Sequence, residues 1–231
     1  MSDKQITPAA RSDVASFLEQ LAKAPVRAPG GRGRLIFAMD ATASREPTWD
    51  QAAKVQGQMF LEADRLGGLE VQLVYYRGFA ECRASRWVGK PADLVRLMTQ
   101  VMCRAGETQI ARVLRHAIRE TKRQKVHALV FVGDACEESI DGLGAVAGEL
   151  GLLGVKAFLF QEGADPTAER GFRHIAQLTG GAHCRFDASS PDELRQLLAA
   201  VAAYAAGGRA ALLTAAEAVG GPVALIARQV R

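Results

Sequence analysis

Leu35-Ile36-Phe37-Ala38-Met39-Asp40-Ala41-Thr42-Ala43-Ser44 is an apolar run that ends in a carboxylate, with hydroxyls following two and four residues later. An uninterrupted apolar run bounded in this way reads as a strand buried on both faces, as in a parallel sheet covered by helices on both sides. Its last residue then falls at the carboxyl edge of the sheet, where open α/β sheets hold their ligands. Asp40, Thr42 and Ser44 present three oxygen donors from one tight loop, and hard divalent cations take oxygen ligands. This is most of a magnesium site.

The surrounding chain alternates strand and helix patterns. Upstream, residues 12–23 predict a short helix with Val14, Phe17, Leu18 and Leu21 on one stripe, and residues 24–33 form a linker broken by Pro25, Pro29 and three glycines. After the opening strand, Thr48 and Gln51 form a capping box for a helix that carries Val55, Met59, Phe60 and Leu66 until Gly67-Gly68 stops it. Residues 71–76 are the next strand. The turn at Arg77-Gly78 is too short for a parallel crossover, so residues 79–83 should return as a short antiparallel edge strand. Helices are expected over 91–102 and 110–121, and strands over 126–132, 155–160 and 182–186. Between the last three strands lie a helix marked by Leu143, Val146, Ala147 and Leu150 and another opened by Asp165-Pro166. Ser190-Pro191-Asp192-Glu193 opens a final helix that carries Leu194, Leu197, Leu198 and Val201 and fades near Ala206.

Such alternation implies right-handed crossovers and a doubly wound α/β fold: a mostly parallel six-stranded sheet, one short antiparallel edge strand, and helices on both faces. The expected organisation is an N-terminal helix and linker (1–33), one α/β domain (34–206) and a C-terminal helical tail (207–231).

Composition fits one globular domain with appendages: 231 residues, 48% hydrophobic and 23% charged. The net charge of +4 is spread among acids, which argues for a solvated surface and against nucleic acid. The first twenty residues lack the profile of a secretory signal peptide. Cys82, Cys103, Cys136 and Cys184 form no CxxC pair and read as reduced thiols, so the expected location is cytoplasmic. In the tail, Glu217 and the Gly220-Gly221-Pro222 break interrupt the apolar run, which argues against a membrane span and for packing onto the domain.

Two further oxygen donors fall where a site at the strand ends needs them: Thr108, just before a helix, and Asp134, just after the strand at 126–132. The ordered set Asp40, Thr42, Ser44, Thr108, Asp134 resembles the von Willebrand factor A domain over residues 34–206. The metal-ion-dependent adhesion site of that family is written DxSxS, then a loop Thr, then an Asp. Thr42 stands where the family usually has serine, keeping the hydroxyl and adding a methyl that stiffens its rotamer. The resemblance implies a protein-binding, adhesion or scaffolding module without enzymatic activity. Its site would hold Mg²⁺ (or Mn²⁺) through hydroxyls and water-mediated aspartates, with a coordination position open for a Glu or Asp of a partner protein.

The alternative is a haloacid-dehalogenase-type phosphohydrolase, with Asp40 as the phosphoryl-accepting nucleophile and an echo of a later motif in Gly133-Asp134 and Asp141. Against it, Thr42 occupies the place of the second acid, and no lysine is compellingly placed. Gly142-Leu143-Gly144-Ala145-Val146-Ala147 imitates a dinucleotide fingerprint, but its distance from the preceding strand favours close helix packing instead. The four histidines share no element and read as packing or surface residues. Glu107, Glu137, Glu138 and Asp141 read as solvated charges at helix starts. Tyr75, Tyr76, Arg77, Arg83, Arg86, Trp87 and Lys90 form the most basic and aromatic stretch, assigned to sheet-edge packing.

Overall fold

The computed structural model describes residues 32–45, 69–187 and 191–231. The expected helices at 12–23 and after Thr48, and the linker up to residue 31, lie outside the described residues.

The opening run forms β1 (Gly33–Asp40), which is buried at every position. It pairs in parallel with β2 (Leu69–Arg77) on one side and β4 (Ala128–Gly133) on the other. Beyond β4 the parallel array continues through β5 (Lys156–Glu162) and β6 (Ala182–Phe186), while β3 (Glu81–Ala84) runs antiparallel against β2. The order is β3-β2-β1-β4-β5-β6. Arg77 pairs with Glu81, so the β2–β3 connection is a loop of three residues, Gly78 to Ala80, one longer than the sequence implies. Gly78 takes a φ of 59°, a left-handed turn position that suits glycine.

Side-chain alternation along β1 divides the core. Leu35, Phe37 and Met39 face α1 (Pro91–Met98), α5 (Pro191–Val219) and α6 (Gly221–Gln229). Ile36 and Ala38 face α2 (Ile110–Arg123), α3 (Ile140–Leu152) and α4 (Pro166–Thr179). Helices therefore cover both faces, as a strand without polar alternation requires. Two glycines of α3 serve packing: a Cβ on Gly144, in the fingerprint-like run, would stand 2.5 Å from the His174 ring, and one on Gly151, beyond that run, would stand 2.3 Å from the Leu178 carbonyl oxygen. They let α3 approach α4.

Two boundaries differ from expectation. Helix α1 ends at Met98, and the chain then runs as an irregular loop to Gln109. Helix α5 continues past Ala206 to Val219, crossing a kink at Gly208, whose φ is 70°. By length and composition, residues Asp192–Val219 could cross a bilayer. In the fold, Leu194, Leu197, Leu198 and Val201 are spent on the core against β1, with Val223, Ile226 and Ala227 of α6 buried beside them. Gln229 completes the docking: its Oε1 accepts from His183 N at 2.9 Å and its Nε2 donates to His183 O at 3.0 Å, closing the outer edge of β6 as a neighbouring strand would. The tail thus packs on the domain.

Candidate functional site

In this strand order the chain leaves β1 toward β2 on one side, with β4 on the other, so the crevice between the carboxyl ends of β1 and β4 is the topological switch point. Asp40 ends β1, and Asp134 follows the last residue of β4. Between them sits Gly133, where a Cβ would stand 2.8 Å from the Phe131 ring and 3.5 Å from Asp40 Cβ.

Asp40 is fully buried. Its Oδ1 accepts from the Thr42 amide at 2.8 Å and its Oδ2 accepts from the Tyr76 hydroxyl at 2.9 Å. The parallel register places Tyr76 directly opposite Asp40, which is why a tyrosine on β2 reaches the end of β1. Thr42 is buried, Ser44 is exposed on the 3₁₀ turn Ala43–Arg45, and their hydroxyl oxygens lie 3.1 Å apart. Asp134 is half-buried, and its Oδ1 is buried with no hydrogen-bond partner. Leaving a buried acceptor unmade costs free energy, so this atom calls for a ligand.

Thr108 is buried at the end of the loop before α2. It exchanges two hydrogen bonds with the loop after Asp134: Thr108 N donates to Glu137 Oε2 at 2.9 Å, and Glu137 N donates to Thr108 Oγ1 at 3.0 Å. The next residue, Glu138, caps α2 by accepting from the amides of Ile110 and Ala111, the latter at 3.0 Å. The N-cap Gln109 makes no side-chain cap of its own and instead donates to the carbonyls of Arg77 and Gly78 at 3.3 and 3.1 Å. All five sequence-identified donors thus lie at the carboxyl end of the sheet, with Thr108 fastened to the loop that carries Asp134.

Charge in this crevice is unbalanced. Burial pushes the Asp40 carboxyl above its ordinary pKa; hydrogen bonds from Thr42 and Tyr76 oppose the shift, and the charge of Asp134 adds to it. Burial raises Glu138 in the same direction, against the pull of the Ala111 and Ile110 amides. The Tyr76 phenol, enclosed beside Asp40, is held well above its usual range, first by burial and then by that carboxylate. Among the described residues, no three His, Cys, Asp or Glu side chains converge into a cage for a metal. A cation here would be held by two carboxylates and hydroxyls and would keep waters, as magnesium does.

Sequence reasoning missed Tyr76, Glu137 and Glu138 as parts of the site. Tyr76 belongs to the stretch assigned to edge packing; of its neighbours Trp87 packs, whereas Arg83, Arg86 and Lys90 are exposed. Trp87 donates to Glu120 Oε2 at 2.8 Å beneath the Arg34 guanidinium, 3.7 Å from its ring centroid. Three of the four histidines are held in structural hydrogen bonds: Nε2 of His183 meets Gln161 Oε1 at 3.1 Å, Nε2 of His116 meets Gln72 Oε1 at 2.8 Å, and Nδ1 of His127 accepts from the Arg34 amide at 2.9 Å. None of the four cysteines forms a disulfide.

No protein-family model matches the sequence. Curated proteins likewise give no match. Solved structures do. A von Willebrand factor type A protein from Catenulispora acidiphila aligns at a TM-score of 0.60 and 15% identity, covering 75% of this chain and 43% of its own length. The VWA domain of SpRpn10 aligns at 0.56 and 9% identity, covering 71% of this chain and 95% of that domain. The open conformation of the pilus adhesin SpaC from Lactobacillus rhamnosus GG aligns at 0.57 and 10% identity, covering 76% of this chain and 31% of the adhesin. This chain therefore spans less than half of the Catenulispora protein and nearly all of the SpRpn10 VWA domain. A doubly wound sheet with an aspartate-and-hydroxyl cluster at its switch point defines the class, and its particular form is the von Willebrand factor A fold.

Proposed function

We propose that this chain is a divalent-cation-dependent protein-binding module of the adhesion or scaffolding kind, working in the cytoplasm. Asp40, Thr42, Ser44, Thr108 and Asp134 hold Mg²⁺ (or Mn²⁺), and the open coordination position takes a Glu or Asp side chain of a partner. The observation that carries this reading is the unpartnered, buried Asp134 Oδ1 beside a fully buried Asp40 whose pKa is raised. A divalent cation would neutralise both carboxylates and supply the missing partner. Two charges on the metal against two on the protein leave it able to attract a third carboxylate. The pilus adhesin among the structural neighbours supports a binding role, and four cysteines outside any disulfide support a reducing compartment.

A phosphoryl-transfer role for Asp40 has no such support. Both its oxygens accept hydrogen bonds and the side chain is enclosed, whereas a nucleophile must reach the phosphorus. Capture from a lysate in Mg²⁺, in EDTA, and in Mg²⁺ with Asp134→Ala as bait tests the reading. A partner retained only by the wild-type protein in Mg²⁺, with no aryl-phosphate hydrolysis, is expected. Equal capture under all three conditions, or turnover lost in Asp40→Asn, would overturn it.

A further inference from the structure

The β2–β3 hairpin carries a feature that the cation reading does not use. Gly78 to Arg83, with Arg104 and Ala105 from the loop before α2, line an open cleft of about 590 Å³. Phe79 stands at its rim, 75% exposed and the only exposed aromatic side chain among the described residues. An exposed ring at the tip of a small-residue turn adds nothing to the core, and beside exposed arginines it suits an apolar side chain of a partner.

Around it arginines outnumber carboxylates. Glu81 is the sole carboxylate lining the cleft, and three arginines share it: Arg77 through two hydrogen bonds of 3.0 Å, Arg83 at 2.8 Å and Arg104 at 3.7 Å. Arg83 and Arg104 remain about two-thirds exposed. From α2, Arg112 donates to the Ala80 carbonyl at 2.7 Å, and the charges of Arg112 and Arg119, opposed by that of Glu138, reach Cys82 on β3. Arg77, Arg83 and Arg104 thus share the Glu81 carboxylate, and Arg112 and Arg119 add their charge beside the edge strand from α2. The same loop joins this cleft to the candidate cation site, since Glu107 N donates to Gly78 O at 3.3 Å immediately before Thr108.

We infer that this cleft is a second, metal-independent docking surface for an acidic segment of a partner protein, with a large apolar side chain of that segment packing on Phe79. Charge complementarity selects the acidic segment. Nucleic acid fits less well, because a stacking platform needs successive exposed rings: Tyr76 is buried, Tyr75 is half-buried beside Arg77, and Trp87 is half-buried beneath Arg34. The inference rests on the reading of this chain as a protein-binding module, but not on its cation.

Fluorescence anisotropy with a fluorescein-labelled peptide of repeated Glu-Glu-Leu units, titrated with full-length protein in EDTA, tests it. Saturable binding is expected, on the order of tenfold weaker with Phe79→Ala and abolished with Arg83→Glu combined with Arg104→Glu. A Glu-only peptide should bind more weakly and lose no affinity with Phe79→Ala. All three side chains are exposed or at the surface, and thermal unfolding of each variant checks that the fold is intact. Absence of binding, indifference to these substitutions, or tighter binding of an oligo-dT strand than of the peptide would overturn the inference. Binding that requires Mg²⁺ and is lost with Asp134→Ala would place the peptide on the cation site, overturning this proposal while leaving the cation reading in place.

Discussion

Asp134→Ala should make the metal-free protein more stable and abolish its response to Mg²⁺, two effects of opposite sign from one substitution. Without a cation, Asp134 Oδ1 is buried and unpartnered, and its charge adds to the penalty already carried by the enclosed Asp40. An unmade buried acceptor costs about 1–3 kcal/mol. Because Asp134 is only half-buried, the lower end applies, and the variant in EDTA should gain about 1 kcal/mol, or roughly 2–4 °C in Tm for a chain of this size. With Mg²⁺ at a hundredfold excess over its Kd, the wild-type protein should gain about 2.7 kcal/mol and the variant nothing. Thermal unfolding of both proteins in EDTA and in Mg²⁺ reads all four states. A variant less stable than wild type in EDTA would show that Oδ1 is not a liability in the apo fold. A variant that keeps its Mg²⁺ shift would place the cation elsewhere.

Other expectations concern the supports of the site. Glu138→Ala removes the cap that joins the loop after β4 to the start of α2, and should cost about 1–2 kcal/mol in urea unfolding while weakening Mg²⁺ binding through the displaced Thr108. Gln229→Ala uncaps the edge of β6 and should cost about 1 kcal/mol, with a rise in concentration-dependent association seen by light scattering. Burial, aided by Arg173, lowers His183 from 6.5 to about 4, so between those values the unfolded chain holds more protons than the folded one. Stability should therefore fall as pH drops through that window, by at most about 3 kcal/mol. Comparing His183→Gln with wild type from pH 7 to pH 4 isolates this term, and parallel curves would refute it.

The strands were legible because their chemistry is local. The run from Leu35 to Met39 within β1 has no polar residue before Asp40, and only a strand covered on both faces can bury it. The edge position of β3 followed from a turn too short for a crossover. Donors lying in the loops after β1 and β4 could be found for the same reason: an aspartate at the end of an apolar run is visible in sequence. Their supports were not. Glu137 and Glu138 meet Thr108, Ile110 and Ala111 across 27–29 positions, and only the adjacency of β1 and β4 brings those loops together. Tyr76 looks like any strand aromatic until the register sets it against Asp40. The final helix was expected to fade near Ala206, yet Gly208 takes a positive φ within a helix that resumes, because the residues beyond it still have core to cover.

Whether one divalent cation binds at the ends of β1 and β4 is the question on which the account depends. Electron paramagnetic resonance counts Mn²⁺ bound to the protein, with Mg²⁺ as competitor. The account predicts one Mn²⁺ per chain, displaced by Mg²⁺ and lost in both Asp134→Ala and Thr108→Val. No saturable binding by the folded wild-type protein, or binding that survives both substitutions, would contradict it.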